Sequence, residues 1–380
     1  PGTDAWVPLK LAGGETYRVE MVIFSSPVER SGVSVDVALE PVTPSNPPRV
    51  PGRQAQRAYW QRARELSAER GLWPRESKAL LELAILARRE ADFEKSERLA
   101  RAAAERAEEG GGPLAEARIK PLQEWAHALG RQERAEEALD VMREALPVME
   151  HHYGEDSPEA GYLWNQIGTL LRPAGRIEQA LAAHRRALEL VEGAHGPKHP
   201  ALAVPLNNYA LAVKAQGDYP RALELLERSL EIRRTAGANP GGLAVSVYNV
   251  ARTYLSLGQT REALPLVREA RSLFEQEYEG AHPQLVRMAH MEAQALIEIG
   301  ELEAAEERAR EAVRLAEATL DAEQALSVKA RTVLGTALGR LGRTDQAREA
   351  LEAALGPSRI REDASGWSSG AMALVQLIEL

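Results

Sequence analysis

No cysteine occurs in these 380 residues, which removes disulfides, thiolate metal sites and cysteine nucleophiles together. That absence leaves the compartment open, since cytosolic and exported proteins alike can lack the residue. Aromatic residues are sparse at 5%, so helices packed through small side chains are favoured over a core of large rings. No apolar run of about 18 residues and no signal-like segment is present, so the chain reads as soluble as given. Cytoplasmic placement is the expectation, with export left open. The first residue is Pro1 and not Met, which suggests a processed or excised chain. Neither G-x-x-x-x-G-K-[ST] nor G-x-G-x-x-G occurs, so nucleotide binding has no support and no cofactor is expected. The formal net charge of −9 is spread through mixed Glu/Arg segments, which points to neither nucleic acid nor a bilayer surface.

What is present is a repeat. A residue that is usually Gly is followed five positions later by a small residue and twelve later by another: Ala91/Ser96/Ala103, Glu133/Ala138/Ala145, Gly175/Ala180/Ala187, Gly217/Ala222/Ser229, Gly258/Ala263/Ala270, Gly300/Ala305/Ala312 and Gly342/Ala347/Ala354. The spacing between anchors is 42 residues except for the step into Gly258, which is 41. Self-similarity at such a period marks a solenoid whose units contact only their neighbours. Seven positions before each anchor stands another small residue: Ala84, Ala126, Gly168, Ala210, Ala251, Ala293 and Gly335. Large apolar residues flank it on one helical stripe, as in Trp164/Ile167/Leu171 and Leu206/Tyr209/Val213. Pro74, Pro158, Pro200, Pro240 and Pro283 fall in the first turn of the next helix, where proline is tolerated, with Ser157 and Asn239 as suitable caps. Each unit therefore reads as helix, tight turn, helix, loop. The missing residue before Gly258 is expected in the loop near Pro240, and Gly110-Gly111-Gly112 reads as a flexible loop.

The ends read differently. Tyr17/Val19/Met21/Ile23 and Val33/Val35/Val37/Leu39 alternate with other residues at strand period, with Gly13-Gly14 as a hairpin turn. Residues 1–40 thus form a small antiparallel β element, read as a remnant of a larger β domain. The five prolines of 41–52 predict a stiff linker. A capping helix over 53–73, seven helix pairs over 74–355, and a C-terminal capping helix or truncated eighth repeat over 356–380 complete the chain. The class is mostly α, a right-handed superhelical solenoid.

These residues resemble the tetratricopeptide repeat, in the 42-residue variant of kinesin light chains and many bacterial proteins, from about Pro74 to Leu355. The anchor glycines, the paired small residues and the His199-Pro200 and His282-Pro283 entries carry the likeness; Ala91 and Glu133 depart from the turn glycine. The N-terminal LAGGETYRVEMVI and SVDVALEP stretches are similar to bacterial proteins in which a β module precedes such repeats and a caspase-like CHAT domain follows; that domain is not in this sequence. The resemblance implies a protein-interaction scaffold and no enzyme, binding a protein or peptide. The alternatives are the sensor portion of a multidomain bacterial enzyme such as a TPR-CHAT protease, and a module of weak self-association.

One face of the first helices lies opposite the core stripe, at about 100° per residue. It carries eleven basic residues, Lys78, Arg88, Arg89, Lys120, Arg131, Arg172, Lys214, Arg252, Arg287, Lys329 and Arg340, against three acidic ones, Glu82, Glu124 and Glu298. In the family this face lines a concave groove, which here would be basic and suited to an acidic segment. Asn208 and Asn249, with Gln166 in the repeat before, offer amides that can bind a peptide backbone whatever its sequence, and in kinesin-light-chain-like repeats this Asn contacts cargo. The expected peptide-binding set is Asn208, Asn249, Gln166, Arg172, Lys214, Arg252, Arg287 and Lys329. His151-His152 and His195 with His199 lack a third ligand and read as helix-end and loop residues, with no metal. Gly366-Trp367-Ser368-Ser369-Gly370 matches G-x-S-x-G, but no strand precedes it and no histidine follows it, so a hydrolase is rejected.

Overall fold

A computed structural model describes residues 6–10, 16–23, 35–41, 53–320 and 325–355, with side chains from residue 56 onward. The Gly13-Gly14 turn, residues 42–52 of the linker and the whole 356–380 segment, with its G-x-S-x-G match, lie outside the described residues. Three strands, β1 (Trp6–Lys10), β2 (Thr16–Ile23) and β3 (Val35–Pro41), pair antiparallel in that order. Val19 stands opposite Val7 on one side and Leu39 on the other. β3 runs one residue into the stretch read as linker.

Fifteen helices follow among the described residues. α1 (Arg53–Glu69) precedes seven pairs: α2 (Trp73–Arg89) with α3 (Phe93–Gly111), α4 (Ile119–Arg131) with α5 (Ala135–Tyr153), α6 (Pro158–Leu171) with α7 (Ile177–His195), α8 (Ala203–Gln216) with α9 (Tyr219–Thr235), α10 (Pro240–Ser256) with α11 (Thr260–Glu277), α12 (Pro283–Ile299) with α13 (Leu302–Thr319), and α14 (Ala325–Arg340) with α15 (Thr344–Leu355). First helices also touch one another, α2 with α4, α6 with α8 and α12 with α14, so they line one continuous side of the array.

The anchor of the repeat is a backbone conformation. Gly175, Gly217, Gly258, Gly300 and Gly342 have φ between 71° and 99°, and Ala91 and Glu133 adopt the same left-handed region at 60° and 62°. The turn fixes that conformation whichever residue fills it, because the chain must reverse within two to five residues between two helices that pack along their length. The small residue seven before each anchor is fully buried; Ala84, Ala126, Ala210, Ala251 and Ala293 are all 0% exposed. Where it is glycine, a large partner fills the space. A methyl on Gly168 would lie 2.7 Å from the His184 ring, and one on Gly335 2.5 Å from Leu351 Cγ. The Ala-to-Ser exchange at Ser229 is also explained, since its hydroxyl donates to the Ala203 carbonyl oxygen at 2.7 Å.

Three sequence expectations change. Gly110 and Gly111 are the last residues of α3 and no flexible loop: a methyl on Gly110 would meet the Trp73 ring at 2.1 Å, so the glycines admit an indole. The histidines before proline are helix caps, with His199 Nδ1 accepting from Ala201 N at 3.2 Å and His282 Nδ1 from Gln284 N at 3.1 Å, alongside the expected caps Ser157 and Asn239. The 41-residue step is taken partly at the end of α9, which stops at Thr235, and partly in the link to Pro240. One continuous apolar cluster runs from Ala104 in α3 to Met291 in α12, and beyond it the core divides into smaller clusters. Among the described residues no helix is long and apolar enough to cross a membrane.

Candidate functional site

The side lined by first helices contains a groove of about 450 Å³ between α2, α4, α6 and α8, whose wall includes Arg88, Lys120, Gln123, His127, Gln166, Thr169 and Asn208. Gln166 and Asn208, assigned from sequence to this face, therefore do meet in one groove. Glu124 is largely neutralised there, since Arg88 Nε donates to its Oε1 at 2.8 Å and Ser96 donates to the same oxygen at 3.1 Å. Burial, then the nearby Arg88 charge, lowers the pKa of His127.

The asparagines have a different environment from the one expected. Asn249 is buried and donates through Nδ2 to Asn207 Oδ1 at 2.8 Å; Asn207 donates to Asn208 Oδ1 at 3.3 Å; Asn208 donates to Asn165 Oδ1 at 3.2 Å. Four amides thus run head to tail across α10, α8 and α6. Thr253 and Thr169, each four residues on, donate to the carbonyls of Asn249 and Asn165 at 2.9 and 3.0 Å. Two members, Asn165 and Asn207, sit one position earlier on the helix and were missed from sequence; the doublet Asn207-Asn208 was their only signal. A single amide links two neighbours, so the ladder ties adjacent first helices in register.

The cations fall into two groups. Arg172 caps the end of α6, Lys214 sits in the last turn of α8 and Arg252 on α10. Lys214 Nζ lies 3.4 Å from the Arg252 carbonyl oxygen, 3.5 Å from Thr253 Oγ1 and 5.5 Å from the centre of the Tyr219 ring. The Arg252 guanidinium stands over Tyr248 at 5.4 Å. Burial, then the Arg252 charge, pushes the Lys214 amine down to about 8 and also lowers Arg172. Toward the C-terminus, Arg287 and Lys329 are exposed on α12 and α14 and flank His290, which burial and then these two charges push down to about 4.

Ion pairs are frequent elsewhere on the array. Arg134, Arg176, Arg186, Arg228, Arg234 and Arg268, on second helices or the turns leading into them, each meet a carboxylate at 2.6 to 3.0 Å. Among the described residues no carboxylate lies within 4.0 Å of Arg172, Lys214, Arg252, Arg287 or Lys329. Nor does any group of three His, Asp or Glu side chains there suit a metal ion.

Family models for the tetratricopeptide repeat match residues 126–159, 159–235, 243–318 and 328–356, together more than half of the chain. The chain is a tetratricopeptide repeat protein. No curated protein matches it by sequence. Its fold is similar to that of BtubC (BKLC) from P. vanneervenii, at 23% identity over 60% of this chain and 94% of that one, TM-score 0.51. It is also similar to the Signal Transduction ATPase with Numerous Domains (STAND) protein of Pyrococcus horikoshii, which has a tetratricopeptide repeat sensor, at 17% identity over 81% of this chain and 47% of that one, TM-score 0.59. A chain described as a kinesin light chain from Podosopora anserina, with nearly identical TPR-like repeats, matches at 22% identity over 52% of this chain and 94% of its own, TM-score 0.48. Tetratricopeptide repeat proteins bind protein or peptide partners.

Proposed function

We propose that the tetratricopeptide repeat array is a non-enzymatic scaffold that captures an acidic segment of a partner protein along its first-helix groove. The observation that carries this reading is a set of five cations on the first helices or at their ends, Arg172, Lys214, Arg252, Arg287 and Lys329, none of which has a carboxylate within 4.0 Å among the described residues. Arg172 and Lys214 are partly desolvated and feel the Arg252 charge, and an incoming carboxylate relieves that repulsion as it gains charge-assisted hydrogen bonds. The asparagines take a reduced part, because their amides are engaged with each other; Gln166, which makes no such bond, remains available to a peptide backbone.

Fluorescence anisotropy with a labelled Asp/Glu-rich peptide tests this. Arg172→Gln with Arg252→Gln is expected to weaken binding about tenfold or more and to flatten its salt dependence, with the circular dichroism spectrum kept. Equal binding of a Lys-rich peptide, or no change in the double variant, would reject the reading.

A second reading has the array as the sensing part of a larger enzyme, of which the three N-terminal strands are a β-domain remnant. The sensor role of the repeats in the Pyrococcus horikoshii STAND protein is the precedent that favours it. Reading the codons that flank this sequence, and finding no catalytic domain in frame, would remove it.

A further inference from the structure

Beside the groove lies a second cavity that capture of an acidic segment does not use. It measures about 610 Å³ and opens where α2, the short turn Glu116–Arg118 and the start of α4 meet the end of α5 and the start of α6. Leu81, Ile119 and Met149 give it a buried apolar lining, none of them more than 9% exposed. Tyr153 and Tyr162, at 43% and 37% exposure, are two of the six large apolar side chains left exposed among the described residues. Both line this one cavity.

Each ring stands with a carboxylate. The Tyr153 hydroxyl donates to Glu116 Oε1, and Glu159 precedes Tyr162 by three positions on α6, which puts the two on one helix face. Among the described residues no cationic side chain lies within 4.0 Å of Glu116 or Glu159. With Glu82, the cavity is lined by three carboxylates against two ammonium groups, Lys78 and Lys120. Contacts across the loops brace the rings. His152 Nε2 lies 2.7 Å from the Leu114 carbonyl oxygen, and the Tyr162 hydroxyl lies 3.5 Å from Nε2 of His195, whose ring stacks on His199 at 4.4 Å.

An arginine side chain matches these parts one by one. Its methylene stem suits an apolar lining, its flat guanidinium stacks on a tyrosine face, and its fork of donors meets a carboxylate with two hydrogen bonds. A lysine pairs with the carboxylates but has no plane to stack. An acidic side chain would bring a further negative charge beside Glu116 and Glu159.

We propose that this cavity is a docking site for an arginine side chain presented by a partner protein. The site adjoins the groove, with Leu81, Lys120 and Gln123 lining both, but does not depend on the function proposed above.

Fluorescence anisotropy of the full chain with a labelled Gly-Arg-Ala-Arg-Gly peptide tests this. The same peptide with citrulline in place of arginine keeps the shape without the charge and is expected to bind at least about tenfold more weakly. Glu116→Gln with Glu159→Gln should weaken binding of the arginine peptide at least about fivefold. Glu303→Gln with Glu349→Gln removes the same charge from exposed positions on α13 and α15 and should change it less than about twofold. Tyr153→Leu with Tyr162→Leu should weaken it about threefold or more, while Tyr153→Phe with Tyr162→Phe, which keeps both rings, should hold it within about twofold. Circular dichroism spectra should match throughout. Equal losses in the two carboxylate pairs would show that net charge alone attracts the peptide and overturn the site. Citrulline binding as tight as arginine, or leucine variants that bind as the parent does, would overturn it as well. The Asp/Glu-rich peptide, read against Arg172→Gln with Arg252→Gln, tests the groove separately, so either proposal can fail alone.

Discussion

A single backbone conformation recurs where the sequence shows only a preference for glycine. Gly217 and its equivalents were legible as a repeat anchor, and their left-handed φ gives the reason for the residue type. Ala91 and Glu133 were legible only as departures; the structure makes them strained copies of the same turn. Glu133→Gly is therefore expected to stabilise the protein by roughly 0.5–1 kcal/mol, and Gly217→Ala to destabilise it by about 1 kcal/mol, read by urea unfolding. His184 is a second case. It is 1% exposed, and burial, then the Arg172 charge, pushes it down to about 4. The unfolded chain takes up a proton there near pH 6.5 while the folded chain does not, so stability is level above about pH 6.5 and falls as the pH drops toward 4. Thermal melts of His184→Leu should show a shallower loss over that window than the parent; an unchanged slope would mean that His184 does not set it. Sequence periodicity marks this position as core but does not tell a histidine in the core from one on the surface.

Between helices, the amide ladder has the clearest consequence. Position counting at 100° per residue treated each first helix alone. Whether Asn208 reaches a peptide or the neighbouring helix depends on the spacing between successive repeats, which no single repeat encodes. The answer is that Asn207 and Asn208 bridge α10 to α6. Asn207→Ala removes the acceptor of the buried Asn249 amide and is expected to cost about 1–3 kcal/mol. In a double-mutant cycle, Asn207→Ala with Asn249→Ala should cost less than the two single losses added together. Strict additivity would show that the two amides do not act as one unit. The same reasoning explains why removing Asn208 and Asn249 is a poor test of partner binding: it alters how repeats stack, whereas Arg172, Lys214 and Arg252 can be changed with that bridge left in place.

Across the molecule, stability follows the continuity of the core. The apolar cluster is unbroken from α3 to α12, whereas α14 and α15 are held by small groups such as Val328, Leu351 and Ala354. In a linear array each repeat is stabilised mainly by its neighbours, so the end where the apolar core is divided into small clusters should open first. Hydrogen exchange is expected to show amides of α14 and α15 exchanging at least about tenfold faster than those of α6 to α10; uniform protection would argue for one cooperative unit. The number of repeats and the helix pairs could be read in the sequence, because they depend on residues within one period. The ladder, the helical Gly110-Gly111 and the ion pairs between repeats could not, because each depends on a residue about 24 to 43 positions away.

The left-handed turn also bears on how such a chain can change over generations. Each copy opens and closes at the same point of the backbone, so a block cut from one turn to the next and duplicated, or lost, rejoins with every small residue still facing its partner. Array length can then drift in whole steps of 42 residues while the fold is kept. A single inserted or deleted codon is tolerated in few places, and the 41-residue step between Gly217 and Gly258 marks the passage from α9 to α10 as one of them.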